Sequence, residues 1–444
     1  MNKRLRFNVR SRLRLPKLSA FSHDTRMLIT ASGLTAVSFF GIQMLLKSLY
    51  ILRLDYGPEY LGLFYSFAAL TFMGMGIPSG ALGKRFGTRT IMLVGGLLCA
   101  IGMALLPGTE LMPATLQHVW PFISQIVLTI GWSMFTVNLV PALMATTTDA
   151  TRNHAYAISS AVRELGTLVG TLIGGLMPTI FSPVLGQSLD APDPYRISLV
   201  VGAVLALGAI LPLLNVRGGQ APAKRETQKA RGPAPVLPLL AMVIYVYVRH
   251  AGWATCQVFC NPMMDTQLHL SSATIGLISG LGQVLAMVTM LMLPRMMNRW
   301  SHGGILVGST LGLGLSLIPL AVYSHPSTAA ITWIAVRVMS SIWITALQVF
   351  QMELVDEAWR SLAYGVVAMA MGLGFGSTSY TGGHIVATYG YPTILWLGAV
   401  TSGIATLMII LILKRRSNVD VSRSLEVPAP AQAVPVRRVE AGPD

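Results

Sequence analysis

Charged side chains occur inside long apolar segments of this chain, where such groups are rare. Lys47, Arg163, Glu164, Arg249 and Arg337 each lie within such a segment. An ionisable group in a nonpolar environment is costly unless it faces protein or water, so each of these residues is a candidate functional group. Arginine forms paired hydrogen bonds with carboxylates and phosphates. Four cations with one acid therefore predict a site for a small organic anion.

Other polar residues accompany these cations at helical spacing. Steps of three and four residues place side chains on one face of a helix. The three faces that contain a cation are Gln43 and Lys47; Arg249, His250, Trp253, Gln257 and Asn261; and Arg337, Ser341, Thr345 and Gln348. A weaker polar face without a cation contains Gln125, Thr129, Ser133 and Asn138. These faces predict a shared polar cavity.

Each residue also has a structural interpretation, which the sequence leaves open. Arg249 and Arg337 either line the cavity or join helices by bonding to a carbonyl group. Lys47 either faces the cavity or extends its ammonium group to the membrane surface. His250 is either a carrier of a coupling proton or an ordinary hydrogen-bonded side chain. Trp253 either packs in the core or stacks on a ligand ring.

The composition identifies the elements that position these residues. Of 444 residues, 53% are hydrophobic and 11% are charged, whereas soluble proteins carry about 25% charged residues. This excludes soluble domains and a disordered chain. Twelve apolar segments, from Met27–Ile51 to Pro392–Leu413, approach the ~20 residues that a spanning helix needs. The chain is therefore predicted to be an all-α membrane protein, and its first segment is too long for a cleaved signal peptide.

The segments divide six plus six around one long polar loop. The predicted parts are a basic N-terminal arm, a first six-helix bundle, a central loop, a second six-helix bundle and a tail expected to be disordered. In the same order their residues are 1–26, 27–215, 216–236, 237–413 and 414–444.

The net charge of +15, from 32 Lys and Arg against 17 Asp and Glu, is a topology signal. Twenty-six of the 32 basic residues lie on one side of the predicted spans. Basic residues mark the cytoplasmic side, so both termini are predicted to be cytoplasmic in the plasma membrane. The bilayer, and no nucleic acid, is the expected partner, because the positive charges are spread over loops rather than gathered on one folded face.

Cofactor and enzyme chemistry have little support in the sequence. Cys99, Cys256 and Cys260 lie in apolar runs without the His or acidic neighbours of a metal site. A Gly-rich nucleotide loop is missing from the sequence, and so is any spacing typical of a catalytic centre. We therefore expect no metal, no cofactor and no enzymatic activity.

The two halves of the chain repeat each other. The residues that match at one offset are Arg152, Ala155, Tyr156, Leu165, Gly166, Gly174 and Gly175 with Arg360, Ala363, Tyr364, Leu373, Gly374, Gly382 and Gly383. At a slightly longer offset Gln43, Gly62, Leu63 and Arg85 match Gln257, Gly276, Leu277 and Arg299. Related halves around a central site are typical of transporters.

The loop after the second segment carries a motif. Gly80, Arg85, Gly87 and Arg89 fit a pattern in which Gly and three residues precede Asp-Arg, then Gly and a basic residue. In this pattern, and over about residues 27–413, the chain resembles the major facilitator superfamily. Lys84 stands where that family usually has Asp. The family's latch of the inward-closed state through this acid therefore cannot work in the same way here, and Glu164 or Asp149 are alternative acids.

The resemblance implies a monomeric secondary transporter with two pseudo-symmetric six-helix halves that works by alternating access. It also implies that the first, fourth, seventh and tenth helices line the cavity, so the three cation-containing faces become substrate-binding candidates. The gating candidates are Gly80, Lys84, Arg85, Gly87, Arg89, Arg152, Arg163, Glu164, Arg299 and Arg360. A proton is a candidate coupling ion, carried by His250 or Glu164. Gly166, Gly170 and Gly174, at four-residue spacing, predict close helix packing.

The substrate hypothesis is a small organic anion bound by Arg249 and Arg337 with Lys47, since few acids accompany these cations. One alternative is an exporter of multiple drugs or amphipathic compounds, which the 24 Met residues would suit. The others are a non-transporting sensor on the same fold and a membrane enzyme.

Overall fold

Twelve long helices make up most of the protein. A computed structural model describes residues 21–217, 236–355 and 359–425, and these contain helices and no strand. All twelve are long and apolar enough to cross a membrane, which confirms the predicted all-α membrane fold. The helices are α1 His23–Arg53, α2 Pro58–Phe86, α3 Thr88–Leu111, α4 Trp120–Thr146, α5 Asp149–Leu185, α6 Asp193–Leu214, α7 Val236–Thr266, α8 Ser272–Arg299, α9 His302–Val322, α10 Pro326–Leu354, α11 Arg360–Tyr389 and α12 Tyr391–Leu425.

Short connections make successive helices antiparallel. Gly87 alone separates α2 from α3 and has a φ of 88°, a left-handed conformation that glycine adopts without strain. We call the end of the bundle with Gly87, the start of α1 and the last residues of α12 the terminal end. The opposite end, with loops 54–57 and 267–271, is the far end.

The first helix is irregular in its middle. Residues Ala36–Gln43 form a π-helix between two α-helical parts. A π-helical stretch has i to i+5 hydrogen bonds and therefore more residues per turn, so residues after it lie less far round the helix axis than α-helical spacing predicts. This stretch packs on α5, where a Cβ on Gly170 would stand 2.8 Å from the Cα of Val37 and one on Gly174 would stand 3.0 Å from the Cα of Ile42. The predicted glycine packing is confirmed.

The two halves touch through glycines at the far end. A Cβ on Gly276 of α8 would stand 3.0 Å from the Cα of Gly175 in α5, and a Cβ on Gly383 of α11 would stand 3.1 Å from the Cα of Gly62 in α2. The sequence repeat pairs Gly62 with Gly276 and Gly175 with Gly383. The two crossings are therefore equivalent positions of a pseudo-twofold arrangement.

Helices α2 and α11 remain in contact to near mid-length, where a Cβ on Gly372 would meet the Met73 side chain at 2.7 Å. Closer to the terminal end, a Cβ on Gly76 of α2 or on Gly365 of α11 would have no neighbour within 4 Å. The closest approaches of these two helices therefore lie between the far end and mid-length.

Three predicted segments fall largely outside the described residues. These are most of the arm 1–26, nearly all of the central loop 216–236, and the end of the tail 414–444. Within the tail, α12 continues to Leu425, whereas the sequence predicts disorder from residue 414. The sequence between Leu413 and Leu425 contains neither Gly nor Pro, so no helix breaker ends α12 at the membrane boundary.

Candidate functional site

Lys47 lies inside the first half without an acidic partner. Its side chain is 2% exposed, and its ammonium group donates to Oε1 of Gln125 at 3.4 Å. The Nζ atom also lies 4.8 Å from the ring centroid of Tyr65 and 5.7 Å from that of Phe64. Gln125 in turn donates to Thr129 at 3.0 Å, so part of the weaker polar face on α4 supports Lys47. No carboxylate among the described residues pairs with this ammonium group.

Gln43 lies one turn before Lys47 and is fully buried. Neither its side-chain nitrogen nor its side-chain oxygen has a hydrogen-bond partner among the described residues. A buried polar atom without a partner costs about 1–3 kcal/mol. This region of α1 therefore offers a donor, an acceptor and a cation that the described protein atoms leave largely unused.

Arg249 is the second buried cation without an acidic partner. It is 1% exposed, and its guanidinium lies 3.9 Å from the ring centroid of Trp343 on α10. Its Nε and Nη2 atoms have no hydrogen-bond partner within the described part of the chain. A cation over an indole face is attracted by the ring quadrupole. The stack holds the guanidinium in place while leaving two of its nitrogen atoms unpaired.

Aromatic rings connect the two halves between these cations. The centroids of His250 and Trp253 are 4.6 Å apart, those of Trp253 and Phe375 are 5.7 Å apart, and those of Phe375 and Tyr65 are 6.2 Å apart. We call His250, Trp253, Phe375 and Tyr65 the aromatic row. It starts at α7, crosses α11 and reaches α2 beside Lys47. The sequence singled out His250 and Trp253 but missed Phe375 and Tyr65, which stand in apolar runs without a polar neighbour pattern.

The remaining predicted binding residues differ in burial. On α7, Gln257 is half-buried, and Asn261 is buried with its side-chain oxygen unpaired among the described atoms. On α10, Ser341 bonds to the carbonyl of Val338 at 2.8 Å, and Gln348 is exposed. The polar face of α7 thus continues toward the far end, whereas Gln348 lies nearer the terminal end.

Arg337 is linked to Glu164, the one acid that the sequence places among these cations. Its guanidinium donates to the side-chain oxygen of Gln283 on α8, and the amide of Gln283 donates to the carboxylate of Glu164 on α5. This chain of three side chains crosses from the second half to the first. The charge of Arg337 is therefore partly compensated, which distinguishes it from Lys47 and Arg249.

The neighbouring gating candidate, Arg163, is close to the same acid. Its side chain is 43% exposed and lies 3.8 Å from the Glu164 carboxylate. Glu164 thus has an exposed cation on one side and the Gln283–Arg337 chain on the other. This arrangement places Glu164 at the contact between the halves.

The other gating candidates lie at the terminal end. Arg89 donates to the carbonyls of Leu213 and Leu214 at 3.3 and 2.6 Å, so it bonds to the last turn of α6 within its own half. Lys84 and Arg85 are exposed. Gly80 is half-buried, Gly87 and Arg299 are exposed and Arg152 is half-buried, whereas the Arg360 side chain falls outside the described residues.

A far-end ion pair was missed by the sequence analysis. Arg53, at the end of α1, donates to both carboxylate oxygens of Asp265 on α7, at 2.6 and 2.8 Å. It also donates to the carbonyl of Leu189 at 2.9 Å and to the hydroxyl of Tyr195 at 3.4 Å. The carboxylate side chain is 2% exposed. The signal available in the sequence was the rarity of basic residues on this side of the spans.

No group of three His, Cys, Asp or Glu residues in the described ranges is arranged to hold a metal ion. Cys99, Cys256 and Cys260 are buried free thiols.

Comparison with known proteins gives consistent results. The family model for the Major Facilitator Superfamily matches residues 28–264 and 248–440. Multidrug resistance protein MdtH of Aeromonas hydrophila is 22% identical over 392 residues, covering 85% of this chain and 92% of that protein. MdtH of Yersinia pestis is 23% identical over 387 residues, with 84% and 90% covered.

Solved transporter structures share the fold. The nucleoside transporter NupG superposes with a TM-score of 0.70 at 14% identity, covering 88% of this chain and 99% of that one. A D-xylose–proton symporter gives a TM-score of 0.69 at 15% identity, with 87% and 96% covered. Because the family model spans both halves and the twelve helices adopt the matching fold, the chain belongs to the Major Facilitator Superfamily and is a multi-pass membrane transporter.

Proposed function

We propose that this transporter moves a small organic anion by alternating access and that Lys47 and Arg249 bind the anionic group. The observation that carries the proposal is their burial without a carboxylate partner in the described part of the chain. A buried charge without a partner is strongly destabilising. An anionic substrate supplies the missing charge, and a cationic one would add to the imbalance.

The proposal changes the role expected for Arg337. Since Glu164 compensates it through Gln283, Arg337 is assigned to the contact between the halves rather than to the anion. The unpaired amide of Gln43 and the unpaired oxygen of Asn261 are assigned to hydrogen bonds with the rest of the solute.

The same proposal assigns a conformational state. The far end is closed by the glycine crossings and by the Arg53–Asp265 pair. If the basic residues place the terminal end in the cytoplasm, the described state is the one that opens toward the cytoplasm. Release or entry on the other side then requires the far end to separate.

A thermal-shift experiment on the purified protein tests the charge assignment. Aliphatic and aromatic carboxylates, quaternary ammonium compounds and neutral drugs are compared on the natural chain, on Lys47→Met and on Arg249→Met. Binding to the native state raises the unfolding temperature, so carboxylates are expected to stabilise the natural chain and neither variant. Arg163→Met is the matched control, since it removes an intramembrane cation that is half exposed and lies beside an acid.

Two results would contradict the proposal. One is stabilisation by cationic drugs in preference to carboxylates. The other is an equal carboxylate effect in the natural chain and in the Lys47→Met, Arg249→Met double variant.

Export of several amphipathic compounds is the second candidate function. It is favoured by the relatives named multidrug resistance protein, which match about 85% of this chain, and by the partly exposed rings of Trp253 and Phe375. Expression in bacteria lacking their own drug exporters separates the two functions. A multidrug exporter raises the inhibitory concentration of cationic and neutral drugs, and Lys47→Met leaves that protection intact.

A further inference from the structure

No ring among the described residues stacks in parallel on the indole of Trp253. Its plane is tilted by 44° to Phe375 and by 42° to His250, and the side chains of all three are partly exposed. Trp132, in the first half, is different, because it stacks on Phe39 with centroids 4.4 Å apart and planes within 10°. Aromatic faces prefer offset-stacked or edge-on partners. Trp253, which also packs on the apolar core, thus has no parallel ring partner among the described residues, whereas Trp132 has one.

A cation lies beyond the first-half end of the aromatic row. Tyr65 meets Phe375 edge-on, with planes at 83°, and the Lys47 ammonium group lies over the Tyr65 ring. An ammonium group has three donors, of which Lys47 uses one, toward Gln125. The other two donors face the Tyr65 and Phe64 rings and make no hydrogen bond within the described part of the chain.

The two ends of the aromatic row belong to different halves, and Lys47 lies at the first-half end. Trp253 and Phe375 come from α7 and α11 of the second half, whereas Tyr65 and Lys47 come from α2 and α1 of the first. A molecule that contacts both Trp253 and Lys47 bridges the halves. Its binding therefore differs in strength between a state in which the halves approach here and a state in which they separate, which is the requirement for a ligand to shift a conformational equilibrium.

From this geometry we infer that the transported anion contains a planar aromatic ring system, which stacks on Trp253 and Phe375 with its carboxylate directed to Lys47. The inference rests on the proposed anion transport and specifies its substrate class. The ring supplies a parallel face to Trp253, and the carboxylate accepts the remaining donors of Lys47.

Three matched probes test the inference on the full-length protein by isothermal titration calorimetry. They are 2-naphthoate, its saturated counterpart decahydro-2-naphthoate, and the neutral 2-naphthamide. We expect 2-naphthoate to bind most tightly. An aromatic pair contributes about 0.5–1.5 kcal/mol, so Trp253→Leu is expected to weaken 2-naphthoate by about 2- to 10-fold and to leave the saturated acid unchanged. Trp253→Phe keeps a ring and retains most of the affinity, and Trp132→Leu is the matched control with no effect on binding.

The outcomes separate the inference from the proposed function. If decahydro-2-naphthoate binds as tightly as 2-naphthoate, the aromatic requirement is wrong while anion binding stands. If 2-naphthamide binds as tightly as 2-naphthoate, the charge assignment is wrong, and with it the proposed anion transport. Failure of all three probes to bind, or equal losses in Trp253→Leu and Trp253→Phe, would also overturn the inference.

Discussion

Removing Arg53 should open the far end of the transporter. Asp265 is almost fully buried and receives two hydrogen bonds from Arg53. Taking one partner from a buried ion pair costs about 3–5 kcal/mol, because the other charge is left uncompensated. Separation of the halves returns the carboxylate to water, so Arg53→Gln destabilises the closed state only. Since 1.4 kcal/mol is a factor of ten, about 3 kcal/mol shifts the ratio of closed to open by about 100-fold.

Removing the acidic partner instead, by Asp265→Asn, should open the far end less than Arg53→Gln does. In Asp265→Asn the guanidinium of Arg53 keeps the Leu189 carbonyl and the Tyr195 hydroxyl as acceptors, and its side chain is 14% exposed. We therefore expect a smaller opening than in Arg53→Gln. The double variant, which removes the buried charge as well, should be more closed than Arg53→Gln alone.

Pulsed electron paramagnetic resonance measures the separation. Spin labels at the exposed positions Ser188 and Gln267 report one distance between the halves, in a background without the three buried cysteines. Arg196→Gln is the matched control, because Arg196 pairs with Asp193 at 2.5 Å and Glu110 at 3.4 Å at the same end but within one half. The reasoning is refuted if Arg53→Gln leaves the distance distribution unchanged, or if Arg196→Gln shifts it equally.

Three further changes have defined outcomes. Gly276→Leu drives a side chain into the facing helix and costs about 1–3 kcal/mol in the closed state. It should therefore increase the distance between the labels at Ser188 and Gln267. Gly308→Ala, at a position with open space around it, should leave that distance unchanged. Glu164→Gln removes the acid that compensates Arg337. Since a partly exposed ion pair contributes up to about 1 kcal/mol, carboxylate binding should strengthen by about 2- to 5-fold. Unchanged or weaker binding in titrations would contradict the assigned compensation. Arg249→Lys keeps the charge but loses the planar guanidinium over the indole of Trp343, so carboxylate-induced stabilisation should fall between that of the natural chain and that of Arg249→Met. Equality with Arg249→Met would contradict a contribution from the charge itself.

The helices could be predicted because their signal is local. Apolar length marks each span, and the internal repeat relates Gly62 to Gly276 and Gly175 to Gly383, which are the glycines of the two crossings. Glycine at equivalent positions of two related halves indicates close approach. The sequence did not show that α2 crosses α11 and α5 crosses α8, since pairing between halves depends on the assembled bundle.

The site was predicted only in part, because its members come from distant segments. The faces with Lys47 and Arg249 follow from helical spacing, and both cations are buried as expected of functional groups. Gln283 belongs to none of the predicted polar faces, although it links Glu164 and Arg337 over 119 and 54 residues of sequence. A single neutral amide in an apolar run gives no periodic signal, so the compensation of Arg337 became visible only in three dimensions.

The glycine crossings bear on how readily the far end can open. Most helix contacts bury aliphatic side chains, and separating them in water costs roughly 25 cal/mol for each Å² of apolar surface exposed. At Gly62 and Gly276 the backbones themselves are in contact, so little aliphatic surface is wetted when the halves part there. The contact is close enough to exclude solvent and yet has low surface energy. The cost of separating this end therefore lies elsewhere, in the Arg53–Asp265 bonds and in the apolar cluster that joins Ile51 and Phe64 of the first half with Met264 and Tyr391 of the second.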